Sequence, residues 1–158
     1  MAKRMITGTR EWACRNFNIC LGCEHDCWYC FARSMAARLR RRKPEAWKDQ
    51  INLPDRLPEA GRGRPTRIMF PSTHDITPEC LELCMEALDR MLKRGHTVLL
   101  VSKPHAECIT AICSRFGGHK NRLIFRFTIG STDNRILKAW EPNAPRFEER
   151  LMCLEMAH

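Results

Sequence analysis

The chain predicts an α/β fold on a parallel sheet, and three observations predict it. Its apolar stretches are short continuous runs, amphipathic stretches of helical period lie between them, and successive runs recur roughly 25–30 residues apart, the size of a βα repeat. Strands apolar at consecutive positions are those covered on both faces. Parallel neighbours also need a long return, which the intervening helices supply. With 158 residues, 44% of them hydrophobic, the chain is long enough for one domain with a core.

Taken in order, "WACRNFNIC" (12–20) is a first strand, a cysteine-rich loop follows it, and "ARSMAARLRRR" (32–42) is its helix. Residues 43–66, with prolines at 44, 54, 58 and 65, form a connector. "TRIMF" (66–70) is a strand stopped by Pro71. Thr77 offers a helix N-cap and Pro78 suits the first helical position. Leu81, Cys84, Met85, Leu88, Met91 and Leu92 then recur at three-and-four spacing until Gly95. "HTVLLVSK" (96–103) is a strand, and a helix runs from Pro104 through Ile109 and Ile112 to Gly117 and Gly118. "RLIFRFTIG" (122–130) is a strand, and residues 144–157 form a helix with Phe147, Leu151 and Leu154 on one face. Four βα units result. Polar residues close each strand, at the edge where βα architectures bind ligands.

Four of the ten cysteines fall in "NICLGCEHDCWYCFAR" (18–33). No signal-peptide pattern follows the start of the chain and no long apolar run occurs, so a cytoplasmic protein without a membrane segment is expected. Thiols there stay reduced, which makes a disulfide framework a poor reading and ligands or reactive thiols a better one. Cys20 and Cys23 form CxxC, while Cys23, Cys27 and Cys30 form CxxxCxxC. Zinc could take all four, but structural zinc sites set their paired cysteines well apart. A cubane iron–sulfur cluster has irons at separate corners, so one short loop can reach several of them. Three thiolates would leave the fourth iron open. Cys20, Cys14, Cys80, Cys84, Cys108, Cys113 and Cys153 read as buried packing, and His25 and Asp26 as caps of the turn. The net charge of +9 favours a polyanionic partner. Its excess is concentrated in "RLRRRK" (38–43) and "GRGRPTR" (61–67), which read either as solvated segments or as a phosphate-contacting patch.

"CEHDCWYC", with Tyr29 just before the last cysteine, resembles the radical S-adenosylmethionine superfamily, whose mark is CxxxCxxC with an aromatic residue at that place. The resemblance implies a barrel of six βα units with the cluster loop after the first strand. Cys23, Cys27 and Cys30 would hold a [4Fe-4S] cluster, and S-adenosylmethionine would bind the open iron and be cleaved to a 5'-deoxyadenosyl radical that takes hydrogen from a substrate.

Over most of the chain the likeness is to the spore photoproduct lyase and DNA-repair-photolyase-like branch, in "CWYCFAR", "STHDI", "VSKPH", "FRFTIGS" and "WEPNAPRFEERL". This implies that the Tyr29 backbone meets the adenine, that Thr73 and Asp75 line the cofactor side, that Lys103 meets the cofactor carboxylate, and that Thr128 and Ser131 approach its ribose or methionine end. A lysine ending a buried strand also needs an anionic partner or a solvated cavity on physical grounds alone. "STHD" replaces the glycine-glycine-glutamate triplet of many superfamily members, so contacts to the cofactor amine do not carry over. Ser72 stands where the spore lyase has its hydrogen-returning cysteine, which argues against repair of that lesion by that route.

Set beside the six-unit barrel, the chain reads as a partial one, a radical S-adenosylmethionine core (1–158) ending in its fourth βα unit, with a complementing chain among its expected partners. The others are an electron donor such as flavodoxin or ferredoxin and, as a candidate substrate, a nucleic acid. The alternatives are a zinc-binding nucleic-acid module using all four clustered cysteines, and an electron-transfer protein with a closed four-cysteine cluster.

Overall fold

The computed structural model of the chain describes residues 7–58 and 64–158. It is an α/β structure whose main sheet has four strands: β1 (Arg15–Asn16), β4 (Arg67–Phe70), β5 (Thr97–Ser102) and β6 (Leu123–Phe127), adjacent in that order and all parallel. Five α-helices accompany it: α1 (Phe31–Arg38), α2 (Leu81–Lys93), α3 (Ala106–Phe116), α4 (Asn134–Trp140) and α5 (Phe147–Met156). Each neighbouring pair of strands is also consecutive in the expected repeat, so the chain winds in one direction across the sheet.

The core lies on one face. Ile68, Phe70, Val98, Leu100 and Leu123 alternate along their strands and meet Cys84, Leu88 and Met91 of α2, Ile109 and Ile112 of α3, and Cys153 of α5. The helix signals at α2 act as read. The turn Pro78–Cys80 precedes it, and Gly95, with φ +81°, ends it by donating its N–H to the Leu92 carbonyl at 2.9 Å. Among the described residues, the buried apolar cluster of the opposite face is Ala13, Met69 and Leu99, with Val101 beside them, and at the edge strand Ile124 and Arg126 are exposed. The expectation that the strands are covered on both faces is corrected: α2, α3 and α5 cover one face, and part of the other borders a cavity.

Three further expectations change. The first strand is interrupted after Asn16, and Cys20–Leu21 (β2) instead pairs antiparallel with Ile51–Asn52 (β3), a small separate sheet. Helix α1 is short and packs its Ala36 on Trp47 and Cys23, away from the main core, so the first unit is not a regular βα repeat. Helix α4, unassigned from sequence, starts at Asp133, whose carboxylate accepts the Arg135 N–H at 2.8 Å. On α5 the inward residues are Arg150 and Cys153, whereas Leu151 and Leu154 face outward.

Of the basic segments, Arg38, Arg40, Arg41 and Lys43 are exposed, while Arg42 binds the carbonyls of Ala46 and Asp49 and closes the loop after α1. Arg62, in the second segment, lies outside the described residues. Among the described residues, no helix is long and apolar enough to cross a membrane.

Candidate functional site

The carboxyl ends of the parallel strands border a cavity of about 300 Å³. Cys23, Cys27, Tyr29 and Cys30 line it from the loop before α1. Thr73 and Asp75 line it from the turn after β4, and Lys103 and Thr128 from the ends of β5 and β6. Eight residues singled out from sequence, spread over more than a hundred positions, thus share one wall. Ser131 does not line this cavity; its hydroxyl accepts the Asp133 N–H at 3.0 Å and shapes the entry to α4.

Two backbone devices place the cysteine loop. Gly22 has φ +99°, and a Cβ there would come within 2.5 Å of the Trp47 carbonyl, which itself accepts the Cys23 N–H at 2.9 Å. At the far end, Cys30 caps α1, its sulfur accepting the Arg33 N–H at 3.4 Å. Cys23 and Cys27 are buried and Cys30 is half-buried. Burial, with the Asp75 charge adding to it, pushes the Cys23 thiol up, and burial pushes Cys27 up to about 11, so neither sulfur is a thiolate without a cation to compensate it.

Asp75 is the hub of the polar wall. Its Oδ1 accepts the Lys103 N–H at 2.8 Å, and its Oδ2 accepts His25 Nδ1–H at 2.8 Å and lies 3.3 Å from Lys103 Nζ. Burial alone would raise its pKa, but the His25 hydrogen bond and the Lys103 charge outweigh it and hold the carboxyl well below the usual range. Lys103 accordingly has its anionic partner within the chain, and its ammonium also sits 5.8 Å from the centre of the Tyr29 ring.

His25, expected only to cap a turn, is 1% exposed and bridges Asp75 to His105, whose Nε2 is 2.9 Å from its own. An ionised Asp75 can only accept, so His25 donates to it from Nδ1, and its Nε2 shares a hydrogen bond with His105 Nε2. Asp26 does shape the turn: it has φ 50° and pairs with Arg33 at 2.9 Å.

Beyond these, Asn18 clamps the turn after β4. Its Oδ1 accepts the N–H groups of Ser72 (2.7 Å) and Thr73 (2.9 Å), and its Nδ2 donates to Ser72 Oγ at 3.0 Å. The stretch "EPNAPRFEER" acts through a buried ion pair. Arg150, fully buried, binds Glu141 Oε2 at 2.5 Å, the Pro145 carbonyl at 2.8 Å and the Thr128 carbonyl at 3.2 Å, while Glu141 Oε1 accepts the Tyr29 hydroxyl. Burial and that bond to Glu141 hold Tyr29 above the usual phenol range, so it stays a donor. Sequence could have flagged Arg150 as a cation on an otherwise apolar helix face; nothing in the sequence marks the His25–His105 contact.

Among the described residues, two trios of ligand atoms lie within 4.8 Å of one another: Cys23–His25–Asp75 and Cys20–His74–Cys80. Cys23, Cys27 and Cys30 are not such a trio. Sulfurs sharing one tetrahedral ion at about 2.3 Å would be roughly 3.8 Å apart, so these three do not form a ready single-ion cage. Wider spacing around a cavity suits a multi-iron core, whose irons stand at separate corners. Cys20 points away from this group, its thiol donating to Asn52 Oδ1 at 3.3 Å. No protein-family model matches the chain, and neither a curated protein nor a solved structure matches it.

Proposed function

We propose that the protein is a radical S-adenosylmethionine enzyme of the spore photoproduct lyase and DNA-repair-photolyase-like kind, built on part of a six-unit βα barrel. One observation carries the reading: the three CxxxCxxC thiols share a cavity with Tyr29, Thr73, Asp75, Lys103 and Thr128, residues from four separate segments that the same resemblance points to. A [4Fe-4S] cluster on Cys23, Cys27 and Cys30, together with S-adenosylmethionine, would supply reductive cleavage to a 5'-deoxyadenosyl radical that removes hydrogen from a substrate.

The chain's own residues have four tasks in this reading. Cys23, Cys27 and Cys30 give thiolates to three irons and release their protons. Lys103, held by Asp75 against the Tyr29 ring, offers a fixed ammonium to the cofactor carboxylate. The Asp75–His25–His105 chain keeps the Asp75 carboxylate ionised and in place. The Glu141–Arg150 pair ties Tyr29 to the end of β6 and so closes one side of the cavity. The exposed cations of 38–43 support a nucleic acid as the substrate class, reached by salt-sensitive binding, and the electron comes from a flavodoxin or ferredoxin.

The test is anaerobic reconstitution with iron and sulfide, followed by dithionite and S-adenosylmethionine. A brown protein that releases 5'-deoxyadenosine is expected, with the product lost in Cys27→Ala and cofactor affinity reduced in Lys103→Ala. An intact cluster that yields no 5'-deoxyadenosine, or a colourless protein carrying zinc on the same three cysteines, would defeat the reading.

A further inference from the structure

The second trio uses residues that the proposed radical chemistry leaves idle. Cys20 lies on β2, His74 in the turn after β4, and Cys80 at the start of α2; all three are buried. Their ligand atoms lie within 4.8 Å of one another, and the Cys84 sulfur, one turn along α2 and also buried, is 3.7 Å from that of Cys80. That separation is close to the roughly 3.8 Å expected of two sulfurs on one tetrahedral ion.

The imidazole is in the tautomer a metal needs. His74 Nδ1 lies 2.9 Å from the Asp75 carbonyl, which can only accept, so the proton is on Nδ1 and Nε2 carries the lone pair. The Ile19 N–H approaches that lone pair from 3.3 Å, a long contact that an ion would displace. Around Cys80 the donors already converge: the Thr77 N–H at 3.3 Å, the Thr77 hydroxyl at 3.6 Å and the Cys84 thiol at 3.7 Å. An incoming cation would expel to solvent the protons of the sulfurs it binds.

We propose that Cys20, His74 and Cys80 form a buried structural zinc site, separate from the cysteine loop that lines the cavity, with Cys84 beside Cys80 as the nearest further thiol. Thiolate and imidazole donors in a buried setting select zinc over the oxygen-loving cations, and burial away from solvent gives the ion a structural role. The ion joins β2, the turn after β4 and the start of α2. Since Cys20 lies three residues before Cys23, it fixes the near end of the cavity loop to the sheet. The proposal does not depend on the iron–sulfur reading.

The experiment measures zinc and iron in the full chain purified anaerobically, in a Cys23→Ala/Cys27→Ala/Cys30→Ala variant and in a Cys20→Ser/Cys80→Ser variant. One zinc per chain is expected in the first two, and loss of zinc in the third. Zinc absorption spectroscopy on the wild type and the first variant should show sulfur at about 2.3 Å and nitrogen at about 2.0 Å; this test needs no change at the buried site and stands even where the serine variant does not fold. Zinc that disappears with Cys23, Cys27 and Cys30 but survives the loss of Cys20 and Cys80 would overturn the proposal. So would a zinc shell without nitrogen, or a Cys20–Cys80 disulfide in protein alkylated at isolation.

Discussion

The two thiol groups of this chain begin three residues apart, at Cys20 and Cys23, yet they occupy different environments. Cys23, Cys27 and Cys30 come from one loop and surround a cavity. Cys20 meets His74 and Cys80 from other segments, all three buried. What separates them is the backbone at Gly22, whose left-handed turn sends the Cys23 amide to Trp47 while Cys20 stays paired with Asn52 in the small sheet. Loop spacing says which sulfurs can reach a shared object; only the path of the chain says which face the same one.

The largest expected effect would break this comparison outright. Alanine at Cys23, Cys27 or Cys30 should abolish iron binding after reconstitution, whereas Cys20→Ala should leave it; iron analysis on the four variants decides, and equal loss in all four would merge the two groups into one closed site. Next comes the wall that belongs to one group alone. Arg150→Met leaves Glu141 buried without its counter-charge, which should cost about 3–5 kcal/mol in urea unfolding. The surviving folded protein should keep whatever metal sits at Cys20–Cys80.

A smaller effect should follow at the hinge between the groups. Gly22→Ala places a Cβ against the Trp47 carbonyl in a left-handed conformation, at about 1–3 kcal/mol. It should lower iron occupancy more than zinc occupancy, since Cys23 hangs from the displaced amide. The smallest change is expected outside both groups: Cys14, exposed on the sheet edge, should be replaceable by serine within about 0.5 kcal/mol, with no change in either metal.

Much of the scaffold was legible because its signals are local. The apolar run of β5 and the three-and-four spacing of α2 each report a side buried against its neighbours, and Pro78 and Gly95 mark the ends of that helix by backbone restrictions no tertiary contact can remove. Where the pattern was weak, tertiary structure overrode it. The stretch 12–20 has strand-like residues but splits into β1 and β2, because its second half finds a partner in 51–52 across the connector. On α5 the apolar face of Leu151 and Leu154 lost to Arg150, since a guanidinium with three acceptors is better placed inside than a leucine that displaces it.

By itself the amino-acid order determined the alternation of strands and helices, the parallel sheet, and the loop of three thiols that a multi-iron core would need, all of which depend on residues near one another in the chain. Only the tertiary structure decided that His25 reaches Asp75 and His105, that Glu141 holds Tyr29, and that Cys20 turns toward His74 and Cys80. Those contacts join positions up to 112 residues apart, and a pairing at such distance leaves no period in the sequence. It is set by where the packed helices and strands deliver each side chain.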